Sequence, residues 1–184
     1  MSRPERPRIH LMDDLAIVVT DDGSATLFDE RLGETFHSES GAAAESRCVF
    51  LQNSGVAERL QKQMPTLVLE IGLGTGLNFL LTAEVARRQQ TPLIYTAVDN
   101  RWINRETLQQ LRFEQFITDP ILLASWLQFA ENQPPPQNSR LVAKFEFAEL
   151  RFDLGDALQS QFVGPFDAIY LDAFSPAASP ELWT

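Results

Sequence analysis

The sequence predicts an α/β domain built on a mostly parallel sheet, and three observations carry that expectation. Thr66–Ile71 (TLVLEI) and Leu93–Asp99 (LIYTAVD) are short apolar runs of the kind a strand buried on both faces needs. Between them, Leu77–Gln90 (LNFLLTAEVARRQQ) spaces its apolar residues as a helix does. The glycine-rich stretch Glu70-Ile-Gly-Leu-Gly-Thr-Gly76 joins the first strand to that helix. Strand, loop, helix and strand in this order make a parallel pair, with ligands gathering at the carboxyl ends of the strands.

The other elements are read in chain order. Residues 1–13, with Pro and Arg but no apolar run, form a flexible tail. Leu15–Thr20 and Ala25–Phe28 flank Asp21-Asp-Gly-Ser24 as a hairpin, with Gly23 free to take positive φ. Gly41–Leu51 and Val56–Gln63 read as helices, so residues 14–64 form an N-terminal hairpin-and-helix addition to a core spanning 65–184. Within the core, Asn104–Ile117 and Ile121–Ala130 have helical spacing, whereas Gln133–Asn138 (QPPPQN) is a loop. Arg140–Leu154 alternates in places as half-buried strands do, and Gly155-Asp156 opens a short helix. Phe166–Leu171 (FDAIYL) is a further buried strand. The sequence stops soon after it, which would leave an apolar strand edge unpaired. The core is therefore expected to lack its C-terminal strands, with a further segment or a second copy of the chain completing the sheet.

Composition narrows the function. The 184 residues suffice for one domain, and no run approaches the length of a membrane span. With no secretory leader and a single cysteine, Cys48, the expected setting is cytoplasmic and reducing. Cys48, His10 and His37 offer no metal-ligand spacing, so a metal-free mechanism is expected. The net charge of −10 opposes nucleic-acid binding. A local patch from Arg47, Arg59, Arg101 and Arg105 would be needed to receive phosphates.

Gly72, Gly74 and Gly76 let the backbone turn sharply and approach a ligand without a Cβ in the way. The dinucleotide pattern G-x-G-x-x-G is not met, because Leu77 stands where its last glycine belongs. The pattern is acidic-x-G-x-G-x-G, with Glu70 closing the strand, and it resembles the first motif of the Rossmann-like class I S-adenosylmethionine-dependent methyltransferases. A nicotinamide or flavin site is correspondingly demoted. Asp99 ends the second strand, where a carboxylate can accept both ribose hydroxyls. Asp156 falls where this family places a residue beside the adenine, with a helix N-cap as the alternative. Asp172-Ala-Phe-Ser-Pro176 is similar in layout to the acidic-Pro-Pro-aromatic loop of amino-group methyltransferases. There Asp172 would orient an attacking amine and Phe174 would pack on the substrate.

Several segments together resemble the methyltransferase half of the bacterial tRNA 5-methylaminomethyl-2-thiouridine biosynthesis bifunctional protein family. They are Asp22-Gly-Ser24, Gly33-Glu34, Phe36-His-Ser38, Gly41-Ala42, Glu45-Ser46, Val49-Phe50, Glu70 through Asn78, Gly155-Asp156, and Asp172 through Pro176 with Pro180-Glu-Leu-Trp183. The resemblance implies S-adenosylmethionine as cofactor, held by Glu70, Gly72, Gly74, Gly76, Asn78, Asp99 and Asp156, with Asp172 and Phe174 catalytic. It implies methylation of an aminomethyl group on the wobble uridine, in the anticodon loop of tRNA. Two alternatives stay open: a methyltransferase of small amines, which the negative charge favours, and a non-catalytic cofactor-binding or interaction fragment.

Overall fold

A computed structural model describes residues 6–11, 14–131 and 133–183. Two sheets and a layer of helices make up the fold. The first sheet is an antiparallel meander of β1 (Arg8–His10), β2 (Leu15–Val19), β3 (Ala25–Asp29) and β4 (Glu34–Thr35). β1 corrects the tail expected over residues 1–13: Arg8 pairs with Val18, and its guanidinium lies 3.7 Å from the centre of the Phe28 ring. The rest of that segment lies mostly outside the described residues. The β2–β3 turn is organised by Asp22, whose carboxylate accepts from the Ser24 N–H and the Thr20 hydroxyl. The same carboxylate accepts from the Ala44 N–H, tying the turn to the next helix and filling the space a Cβ on Gly41 would need.

That helix begins as α1 (Ala42–Glu45) and continues through Ser46–Gln52 with wider, π-type turns, seen in the Asn53 N–H donating to the Cys48 carbonyl. After α2 (Val56–Gln61) the chain enters the second sheet at β5 (Thr66–Ile71) and returns through α3 (Leu77–Gln89) to β6 (Leu93–Asp99). α3 is buried along most of its length, because the N-terminal helices cover the side turned away from the sheet. The stretch 104–117 is not one helix. α4 (Arg105–Gln110) ends before Arg112, which takes φ 54°, and a single tight turn follows at Phe113–Gln115. Leu111 and Phe113 are both core residues; two positions apart they face opposite sides of a helix, so burying both requires the break. α5 (Pro120–Phe129) starts where the Asp119 carboxylate accepts from the Ile121 and Leu122 N–H groups.

β7 (Ser139–Phe145) and β8 (Ala148–Leu154) form one antiparallel hairpin, followed by β9 (Ala168–Leu171). The sheet order is β7-β8-β6-β5-β9, with every pairing parallel except β7 with β8. No helix opens at Gly155-Asp156. The turn there uses i→i+3 bonds, and Leu158 at 60% exposure gives it no buried face to extend on. β9 is an edge strand on which Ile169 is 65% exposed.

The glycine at the start of α3 is fixed by packing. Gly76 takes φ +77°, and a Cβ there would lie 2.2 Å from Cζ2 of Trp126 on α5. Forced overpacking of a core combined with a left-handed backbone predicts that Gly76→Ala lowers the unfolding free energy by about 3 kcal/mol. Urea denaturation measures this; an unchanged midpoint would contradict the packing described.

Candidate active site

The four parallel strands deliver their carboxyl ends to one side of the sheet, and the loops that follow them are tied to neighbouring strands. The Gly72 N–H donates to Val98, Gly155 to Asp99, and Asp172 to Ile71, at 2.9, 2.8 and 2.9 Å. Over this end lies a cleft of about 670 Å³. Gly72, Gly74, Asp99, Asp156, Asp172 and Phe174 line it, so the structure brings together six of the nine residues singled out in the sequence.

The other three sit beneath the wall. Glu70 and Asn78 are sealed from solvent, and the flank of Gly76 is filled by Trp126. None of the three lines the cleft, so they bound it from beneath. Asn78 nevertheless organises the floor, its Nδ2 donating to Glu70 Oε1 at 2.8 Å and to Asp172 Oδ2 at 2.7 Å. One amide thus bridges the ends of β5 and β9. Burial, reinforced by Asp172, holds the Glu70 carboxyl well above the usual carboxylate range. Asp172 is itself pushed up to about 7, by burial first and then by Glu45, while the Asn78 bond works in the opposite direction.

The glycines serve close approaches within the protein. A Cβ on Gly72 would lie 2.3 Å from the Asp172 carbonyl oxygen, and one on Gly74 would lie 3.2 Å from the Phe36 ring. Asp99 accepts from the Gly74 N–H at 2.7 Å on one oxygen and from the Arg101 N–H at 2.9 Å on the other. Burial raises it to about 6, against the backbone N–H groups of Gly74 and Asn100. Each of its oxygens keeps a lone pair for a ligand hydroxyl. Asp156 accepts from the Leu158 N–H at 2.9 Å, fixing the turn while its carboxylate stays on the cleft wall.

The first sheet supplies the opposite wall, which sequence patterning did not assign. Glu34 accepts from the Ser175 N–H at 3.0 Å and from the Ser175 hydroxyl, gripping the loop that carries Asp172 and Phe174. The Phe36 and Phe174 rings meet edge to face at 5.2 Å. Asp29, almost fully buried, pairs with Arg101 at 2.8 Å, and both line the cleft together with His37. The only sequence signal for Glu34, Phe36 and His37 was their place in the Gly33–Ser38 block, and Asp29 had none.

Arg47, Arg59, Arg101 and Arg105 do not form a patch. Their guanidiniums bind the Phe116 carbonyl, Asp167, Asp29 and Glu131 respectively. Arg59 lies at the amino end of the sheet, where Asp167 meets the start of β5, whereas Arg101 follows the carboxyl end of β6. Among the described residues no group of three or more His, Cys, Asp or Glu is placed to hold a metal. No described helix is long and apolar enough to cross a membrane.

The cleft suits S-adenosylmethionine. Its volume falls in the range of small-molecule sites, Asp99 has free acceptor capacity for a ribose, and the acidic walls complement a sulfonium and an ammonium. Residues 122–184 match the family model of S-adenosyl-L-methionine-dependent methyltransferases. The chain is 32% identical to the tRNA 5-methylaminomethyl-2-thiouridine biosynthesis bifunctional protein MnmC of Burkholderia multivorans, over 89% of this chain and 26% of that protein. It is 31% identical to the MnmC of Aromatoleum aromaticum, over 94% of this chain and 27% of that protein. The chain thus spans about a quarter of the length of the relatives it matches. The crystal structure of MnmC2 from Aquifex aeolicus has the same fold, with a TM-score of 0.68 and 24% identity over 99% of this chain and 54% of that one. The glycine loop, the acidic strand ends and these likenesses agree: the chain is similar to the MnmC proteins over about nine tenths of its own length, and its residues 122–184 match the S-adenosyl-L-methionine-dependent methyltransferases.

Proposed function

We propose that the chain methylates the aminomethyl group of 5-aminomethyl(-2-thio)uridine at the wobble position of tRNA, giving the methylaminomethyl product, in the cytoplasm. The observation that carries the reading is Asp172: a carboxylate at a strand end, clamped by Asn78, on an acidic cleft and with a proton affinity near neutrality. The tRNA substrate rests on what the MnmC relatives are named for.

S-adenosylmethionine, when bound, supplies an electrophilic methyl. Glu70 and Asn78 would hold the floor beneath it, Gly72 and Gly74 its backbone wall, and Asp99 and Asp156 its nucleoside end. An alkylammonium has no lone pair and a solution pKa near that of lysine, about 10. Asp172 in its ionised form accepts the amine's proton and keeps the nitrogen turned toward the methyl. Phe174, propped by Phe36, packs against the base and limits its motion. A wobble base already lies in a single-stranded loop, so presenting it in the cleft needs little unpairing. We further propose that residues 14–64 work as one wall of this site, with 65–184 supplying the cofactor floor. A small amine is the second reading, favoured by the scattered, internally paired arginines.

The test is transfer of labelled methyl to tRNA isolated from cells lacking this modification, read by nucleoside mass spectrometry. Methylaminomethyluridine is the expected product; methylation of free amines alone would support the second reading. Asp172→Asn is expected to lower kcat by about 100-fold or more while calorimetry still detects cofactor binding. Turnover should rise with pH through about 7 as Asp172 ionises. Stability should move the other way. The folded pKa is raised above the unfolded one, so the contribution of Asp172 is full below about 3.9 and is lost as pH rises through about 7. Urea midpoints at pH 5 and pH 8 should therefore fall less between the two in Asp172→Asn than in the wild type, and equal falls would contradict the burial of this carboxylate.

A further inference from the structure

We infer that His37 is a hydrogen-bond donor of fixed polarity inside the cleft, presenting its Nε2–H to an acceptor oxygen of the bound reactants: a pyrimidine carbonyl or the cofactor's carboxylate. The inference rests on the reading above and assigns a role to a residue that the mechanism leaves idle.

Its basis is hydrogen-bond accounting. His37 follows β4, is 7% exposed, and lines the cleft with Phe36 and Phe174. Its Nδ1 lies 2.9 Å from the hydroxyl oxygen of Thr26 on β3. Thr26 is fully buried, and among the described residues this imidazole nitrogen is the only hydrogen-bond partner of its hydroxyl. If Nδ1 carried the proton and donated to Thr26, the threonine O–H would be left buried without an acceptor. If the threonine donates to Nδ1, both groups are satisfied. That second arrangement puts the ring proton on Nε2. No described residue takes up Nε2, and it is not among the buried polar atoms lacking a partner, so it opens toward the cleft.

The polarity has a purpose in this setting. The cleft walls carry the carboxylates of Asp29, Asp99, Asp156 and Asp172, which accept hydrogen bonds and repel an oxygen-bearing ligand group. Arg31 and Arg101 also line the cleft but carry positive charge; His37 adds an uncharged donor, which does not oppose a cationic cofactor. Burial agrees, lowering the His37 pKa to about 4 and so keeping the ring neutral.

Ring-nitrogen NMR of the free protein at pH 7 should show His37 protonated at Nε2; protonation at Nδ1 would overturn the inference. The double variant His37→Phe with Thr26→Val removes the donor without stranding a hydroxyl, and its urea midpoint reports whether it folds. Loss of the donor should cost about 10-fold. A fall in S-adenosylmethionine affinity by calorimetry identifies the carboxylate as acceptor. A fall in kcat/KM for tRNA with cofactor affinity unchanged identifies the carbonyl. His37→Gln, which places an amide N–H near the same point, should recover most of either loss. A folded double variant with both quantities unchanged would overturn the inference. If the wild-type protein binds cofactor but leaves tRNA unmodified, the proposed substrate fails, whereas the NMR and calorimetric arms still decide the role of His37.

Discussion

The site depends on one side-chain amide. Asn78 stands in the first turn of α3, directly after the glycine loop, and its nitrogen serves carboxylates from two neighbouring strand ends. Two such groups in a buried space cannot both ionise without a large electrostatic cost. Glu70, entirely enclosed, holds a proton far more strongly than a free carboxyl, and Asp172, open on one side to the cleft, is brought to the edge of ionisation near neutral pH. The proton affinity of the reacting side is thereby set by the packing of the core. This holds only while α3 begins where it does and β9 lies close against β5. The first condition is met by Gly76 under Trp126, and the second by Gly72, which has no Cβ to push the Asp172 carbonyl away.

The N-terminal sheet completes this arrangement from the other side. Asp22 locks the β2–β3 turn to the start of α1, and that helix carries Glu45, which adds to the charge felt by Asp172. Glu34 and Phe36 then clamp the loop beyond β9, while Asp29 draws in Arg101 from beyond β6. The hairpin and the core are bound through the residues that surround the cleft, so loosening the one opens the other. What reads as an appendage in the sequence lines one wall of the cleft.

Why was so much of the core legible and so little of the wall? Strands β5 and β6 and helix α3 announce themselves because burial on both faces demands continuous apolar runs, and the glycine loop falls between them at fixed spacing. Asp99 and Asp172 were found because each closes such a run. The long-range contacts leave no local trace. Glu34 and Ser175 are 141 positions apart, and nothing near either one marks the other as its partner. The glycines were recognised for the right conformational freedom, but the atoms filling that freedom are Asp172, Phe36 and Trp126, which no loop motif specifies. The motif located Glu70 and Asn78 but did not show that both are buried beneath the cleft, because sequence position fixes the turn of the helix and not what covers a side chain. The helix expected over 104–117 failed for a related reason: apolar spacing cannot tell one continuous face from two sides of a broken one.

The acidic balance, which first argued against a nucleic-acid substrate, has a different meaning once its distribution is known. The four arginines considered for phosphate binding are held by partners inside the protein, and several others pair with carboxylates: Arg6 with Asp21, Arg87 with Asp119, Arg140 with Asp153. The negative charge that remains unbalanced includes the group around the cleft, where a sulfonium and an amine benefit from it. These arginines therefore add little phosphate attraction. On the function proposed above, discrimination would come from the cleft itself, through the Phe36–Phe174 edge, the donor inferred on His37 and the acceptor on Asp172, which together would read a single extruded base by shape and hydrogen-bond polarity. A site built this way gains selectivity from what it encloses, and it leaves the affinity for the RNA backbone to surfaces other than these arginines.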